Sequence, residues 1–165
     1  MRSNAPMSLV ECVPNFSEGR RKDVVDGILA AVRSVDGVKL IDHSMDASHN
    51  RAVVTFVGAP AAAAEAAFRA IAKAKETIDL RSHTGEHPRQ GAADVVPFIP
   101  VREASWEQCI ELSHRLGRRV GEELSLASAS LADLERRSEH ILQSIASGLV
   151  TVDLSGRITY CNRAA

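Results

Sequence analysis

Cysteine is scarce in this chain, and Cys12, Cys109 and Cys161 stand far apart with no CxxC pair. That distribution fits reduced thiols and argues against a disulfide scaffold or a cysteine zinc site. Charge of one sign is also lacking. The formal net charge is -1, which gives no electrostatic footprint for nucleic acid or for a membrane surface. No apolar run approaches the ~18 residues of a membrane-spanning helix. Residues 1–8 carry no apolar signal-peptide core and read as a loose leader. These absences leave a soluble, cytoplasmic chain as the expectation. What is present is a hydrophobic fraction of 45% over 165 residues, enough for a core of its own.

Periodicity divides the chain. Leu9 to Pro14 is a short apolar run closed by a proline, the first strand, and Asn15 to Arg20 follows as a loop. Apolar positions at Val24, Val25, Ile28, Leu29 and Val32 mark one face of a helix over Lys22–Val35, ended by Asp36-Gly37. Val38–Ile41 reads as a strand, Asp42–Asn50 as a polar loop, and Arg51–Val57 as a β-branched strand stopped by Gly58. Pro60 opens an alanine-rich helix to Ile78, with Ala64, Phe68, Ile71 and Ala74 on one face. A loop and an apolar strand from Val95 to Val101 complete a β-α-β-β-α-β order. The expected fold is therefore α+β: a ferredoxin-like, largely antiparallel sheet with two helices on one face.

From Trp106 the pattern changes. Trp106, Ile110, Ser113, Gly117, Val120 and Leu124 begin a 3.5-residue period that runs on to Ile145. It predicts a coiled-coil seam or two shorter helices in similar register, jointed near Ser125–Ser130, but Gly117 and the small residues Ser113, Ala127 and Ser138 weaken the seam and favour an ordinary amphipathic helix over part of the span. Residues 125–147 thus read as a linker or signalling helix. Residues 148–165 read as two strands about a turn, a hairpin that is only marginally stable alone.

The densest chemistry lies in Arg81–Pro100, where Gly85, Pro88 and Gly91 preclude a helix. His87 sits in that loop, and a histidine there can take and give a proton near neutral pH. Glu86, Arg89 and Asp94 are close enough in sequence to orient it. A backbone-bonding loop histidine is the bland alternative. His83 and His87 are four apart, but without a helix they do not share a face. Although His43 and His49 lie upstream, no third ligand is evident, so no metal is expected. Asn15 and Arg51 flank strands whose ends can converge on the same edge, and an arginine fork suits a carboxylate. Turn chemistry and a surface salt bridge are their simpler explanations.

Taken together, Val10–Arg20, Asp42 with His49-Asn-Arg51, Thr55–Gly58 and His83–Pro100 closely resemble the glutamate formimidoyltransferase family, also called formiminotransferases. The resemblance covers about residues 9–124 and corresponds to that family's N-terminal subdomain. It implies ferredoxin-like subdomains and transfer of a formimidoyl group between N-formimidoyl-L-glutamate and tetrahydrofolate as co-substrate. That reaction belongs to histidine degradation and folate one-carbon metabolism. It places the catalytic histidine on His87, and positions lining the substrate cleft on Asn15, Ser17, Glu18 and Arg51. It also implies a second subdomain covering the inner sheet face. Without it, activity is expected to be impaired unless a homodimer or a complementing second subdomain supplies that half. Residues 141–165 resemble the opening of a PAS sensory domain, so the alternative expectation is a folate- or substrate-sensing input module of a signalling protein. A fragment without a function as a unit is the third reading.

Overall fold

The computed structural model describes residues 8–86 and 90–124, and the backbone of 150–152 and 158–161. The chain divides into two units, Met1–Leu126 and Ala127–Ala165. The first contains β1 (Leu9–Cys12), β2 (Asn15–Phe16), α1 (Lys22–Arg33), β3 (Val38–Asp46), β4 (Arg51–Gly58) and α2 (Pro60–Thr77). These are followed by a 3-10 turn (Leu80–Ser82), β5 (Ala93–Val95), β6 (Phe98–Arg102) and α3 (Trp106–Glu123). The second contains an antiparallel hairpin of β7 (Val150–Val152) and β8 (Ile158–Cys161).

β4 is the axis of the sheet. It pairs antiparallel with β3 along one side and with β1 and β2 along the other, while β6 pairs with β1 and β5 with β2. Strict alternation of buried and half-buried residues along β4 shows why one edge of the pattern faces a core. Ala52, Val54 and Phe56 point into it, together with Val10, Cys12, Phe16 and Phe98 from neighbouring strands. Phe16 and Phe56 are fully buried, each contributing about 1.5–3 kcal/mol of hydrophobic stabilisation.

The helices close that face. Val24, Val25, Ile28, Leu29 and Val32 of α1 are all buried, as their spacing predicts. The buried face of α2 is wider than expected, adding Ala63, Ala66, Ala67 and Ala70, because α2 packs against α1, α3 and the sheet together. Small side chains make that three-sided approach possible. α3 begins with a reciprocal capping box, in which the Ser105 hydroxyl accepts from the Gln108 amide and the Gln108 side chain accepts from the Ser105 amide.

Three expectations change. β3 runs to Asp46, so Asp42–Asp46 is strand rather than loop. Those polar residues are held by pairing with Arg51–Thr55, and the connection shrinks to 47–50. The first and last strands are each broken, at 13–14 and 96–97, by prolines that cannot donate to a ladder. Within α3 the buried line runs through Cys109 and Leu116, with Leu112, Val120 and Leu124 partly covered, whereas Trp106 and Ile110 of the predicted seam are exposed. An ordinary amphipathic helix, not the seam, docks on the core. The predicted linker helix over 125–147 lies outside the described residues.

Candidate active site

The broken strand brings Asn15 and Ser17 to the end of the sheet where β4 starts. Asn15 pairs with Val53, and its side-chain oxygen accepts from Arg51 Nε at 3.0 Å. The Ser17 amide donates to Ala92 O at 2.9 Å and its hydroxyl to Gly91 O at 2.8 Å. Asp94, on β5, turns its carboxylate back along its own loop. Oδ1 accepts from the amides of Gln90 and Gly91 at 2.9 and 3.1 Å. Oδ2 lies 3.4 Å from the Ser17 hydroxyl and 3.8 Å from Arg51.

On the other side of this corner, residues 47–50 meet two loops at once. The Asn50 side chain accepts from the Gly19 amide and donates to Thr84 O, both at 2.9 Å. Asn50 adopts a φ of 51°, a left-handed conformation that asparagine tolerates better than most residues. Arg20 donates to Ala47 O at 2.8 Å and to the Thr84 hydroxyl at 3.3 Å, and the Glu86 amide donates to Ser48 O.

Glu18 is the buried anion of the corner. Its carboxylate accepts from the amides of Arg20 and Arg21 at 2.9 Å and from Arg21 Nε at 2.6 Å. Burial alone opposes its ionisation, but the Arg21 and Arg20 amides and the Arg21 guanidinium outweigh it and hold the carboxyl below its ordinary value. Asp46, beside the corner, is likewise lowered, first by the His49 amide and then by the His49 ring.

These elements border a groove of about 460 Å³ lined by Asn15, Ser44, Met45, Asp46, His49, Arg51 and Val53. Of the expected site residues, Asn15 and Arg51 line it. Ser17 and Glu18 are 1% and 2% exposed and bond to protein behind it. His87 lies outside the described residues, but the loop that carries it is described on both sides, at Thr84–Glu86 and Gln90–Gly91. The sequence singles out neither Asp46, which reads as polar loop, nor Asn50, which enters only as the middle of the His49-Asn-Arg51 motif. The signal that could have found Asn50 is an asparagine closing a tight turn between two strands. Among the described residues no group of three or more His, Cys, Asp and Glu side chains stands together as a metal site would require. No helix among them is long and apolar enough to cross a membrane.

Comparison with known proteins bears on this corner. Residues 9–149 match the formiminotransferase domain, N-terminal subdomain. The chain is 52% identical over 133 residues to the glutamate formimidoyltransferase of Thermoplasma acidophilum, covering 81% of this chain and 44% of that protein. It is 45% identical over 131 residues to the glutamate formimidoyltransferase of Streptococcus pyogenes serotype M1, covering 79% and 44%. It is also 45% identical over 141 residues to the formimidoyltransferase-cyclodeaminase of Gallus gallus, covering 85% and 26%. This protein, with a mixed α+β fold and an antiparallel sheet, belongs to the formiminotransferase N-terminal subdomain family. It spans less than half the length of these relatives.

Proposed function

We propose that the chain is a formimidoyltransferase module, acting on N-formimidoyl-L-glutamate with tetrahydrofolate as co-substrate in histidine degradation and one-carbon metabolism. The observation that carries this reading is the family match over residues 9–149, with relatives named as glutamate formimidoyltransferases. In this reading His87 takes the proton from the attacking folate amine and returns it to the leaving nitrogen of glutamate. The carbon–nitrogen bond to folate forms first, giving a tetrahedral intermediate whose charge needs nearby donors, and the bond to glutamate then breaks as its nitrogen takes up the proton. Arg51 and Asn15 contact the substrate from the groove, and Ser17 and Glu18 support the strand ends behind them.

We read the sheet as ferredoxin-like. Counting each broken strand once, its order β6-β1-β4-β3 is fourth, first, third, second. The sheet face turned away from the helices carries the half-buried Val53, Thr55, Val57 and Ile99, a surface suited to a complementing second subdomain or a second copy. The reading also takes the chain as cytoplasmic. The hairpin of β7 and β8 lies beyond the family match and is consistent with the PAS-type opening read from the sequence. A folate- or substrate-sensing input module is the less favoured reading, because the relatives carry transferase names.

The test is formimidoyl transfer by the wild-type chain and by His87→Ala, each alone and mixed with the separately produced remainder of a relative. Turnover in the wild type that disappears in the mutant supports the reading. Equal turnover in both removes His87 from the chemistry. No turnover in any mixture overturns the enzyme reading.

A further inference from the structure

The face of α3 that its own unit leaves uncovered carries two large apolar side chains and two glycines. Trp106 and Ile110 are 61% and 54% exposed. Gly117 and Gly121 follow in the second half of the helix, and a Cβ on either would meet no described atom within 4 Å. Neither glycine has a positive φ, so the backbone there does not call for one. Glycine inside a helix weakens it, and no contact among the described residues explains that loss at two positions. At about 100° per residue the four positions fall within about 60° of one another, roughly a quarter turn from the buried Cys109 and Leu116. Their outer edge is charged. Glu107 and Glu111 stand in the first half of α3 and Arg118 in the second, with His114 between them, and all four are exposed.

We propose that α3 pairs antiparallel with α3 of a second copy of this chain, so that Trp106 and Ile110 of each copy seat in the hollows over the partner's Gly121 and the partner's Gly117. A two-fold axis between Ser113 and His114 makes both contacts at once, because 106 and 121, like 110 and 117, lie equally far from it in the chain. Large side chains set into hollows left by small ones are how helix surfaces interlock. The same axis brings Glu107 and Glu111 alongside the partner's Arg118, which places opposite charges along the rim. Parallel pairing would instead set Trp106 on the partner's Trp106 and Glu107 beside the partner's Glu107. Bulk and hollow, acid and base, are thus supplied in reverse order by one helix, and that selects a second copy as the occupant. Trp106 to Gly121 spans about four turns, so the interface is small and the dimer belongs to the weak, concentration-dependent class. Pairing of this kind is independent of whether the chain catalyses formimidoyl transfer.

The test is sedimentation velocity of the full chain from about 1 μM to 1 mM, the range of weak association, with fluorescence of Trp106, the single tryptophan, as a second readout. Wild type is expected to pass from monomer to dimer across that range, and Trp106 emission to move to shorter wavelength as it does. Gly117→Glu fills the hollow with a good helix former, so its unfolding midpoint at low concentration should not fall. Its dimer dissociation constant should rise about tenfold or more. Glu107→Arg and Arg118→Glu are each expected to weaken the dimer, and the double variant to restore it, since the swapped charges again face each other. A chain that is monomeric at every concentration overturns the proposal, as does a dimer that Gly117→Glu leaves intact. Trp106 emission already at short wavelength in the dilute monomer means that the chain's own residues cover the face, and this also overturns it. A double variant that associates no more tightly than the single ones overturns the antiparallel register and the proposal with it.

Discussion

The Gly19 amide donates to the side-chain oxygen of Asn50 at 2.9 Å, and that buried bond joins the loop before α1 to the turn between β3 and β4. The approach is so close that a Cβ on Gly19 would collide with the Asp46 carbonyl oxygen and the Arg51 amide nitrogen, both backbone atoms. Backbone neighbours cannot swing aside as the end of a flexible side chain can. Gly19→Ala is therefore expected to destabilise the first unit by roughly 1–3 kcal/mol, the usual cost of overpacking. A fall in the urea midpoint with an unchanged slope checks it, and a midpoint equal to wild type contradicts the packing described.

Glu18 sets part of the acid sensitivity of the fold. Its folded pKa lies below the ordinary value of 4.5, so protonation must break bonds made by the ionised form. The stability it contributes is fully present above about pH 4.5 and is lost as pH falls through the folded value. Glu18→Gln is expected to be less stable at pH 7 by roughly 1–3 kcal/mol, as charged hydrogen bonds are lost. It should also lose less than wild type between pH 5 and the acid limit. Parallel stability profiles for the two proteins across that window would show that Glu18 titrates alike in folded and unfolded chains.

Arg119 makes a polar contact between α3 and α2. Its guanidinium lies 3.7 Å from the centre of the Phe68 ring, and its nitrogens pair with Glu65 at 2.5 Å and Glu123 at 2.8 Å. Arg115, on the same helix, makes only an exposed pair with Glu111. Arg119→Ala is expected to cost about 1 kcal/mol by thermal or urea unfolding, the scale of a cation–π contact with partial burial. Arg115→Ala should leave stability nearly unchanged, as exposed pairs usually do. Equal effects of the two substitutions would mean that the Phe68 contact contributes nothing measurable.

Much of the fold was legible because its signals are local. The α1 stripe from Val24 to Val32 is a property of spacing alone, and every member of it is buried. The β4 alternation from Arg51 to Gly58 is equally plain. The extent of β3 was not legible, since Asp42, His43, Ser44 and Asp46 have no strand character of their own. They are strand because β4 offers them partners. The face of α3 was misread for a related reason. Trp106 and Ile110 suit a buried seam, but Cys109 and Leu116 are the residues that the last strand and α2 can reach.

At the candidate site the division is similar. The sequence by itself determined the family, the density of titratable groups between Arg81 and Pro100, and the pairing of Asn15 with Arg51 as candidates, because residue type and order survive without coordinates. Only the tertiary structure separated those two groove-lining residues from Ser17 and Glu18, which stand adjacent in the chain yet turn to protein. Only it revealed that the Asn50 and Asp94 side chains bond across the corner. The physical reason is range. Periodicity reports which residues share a face, whereas bonds spanning 31 or 34 residues exist only once the sheet has brought their partners within 3 Å.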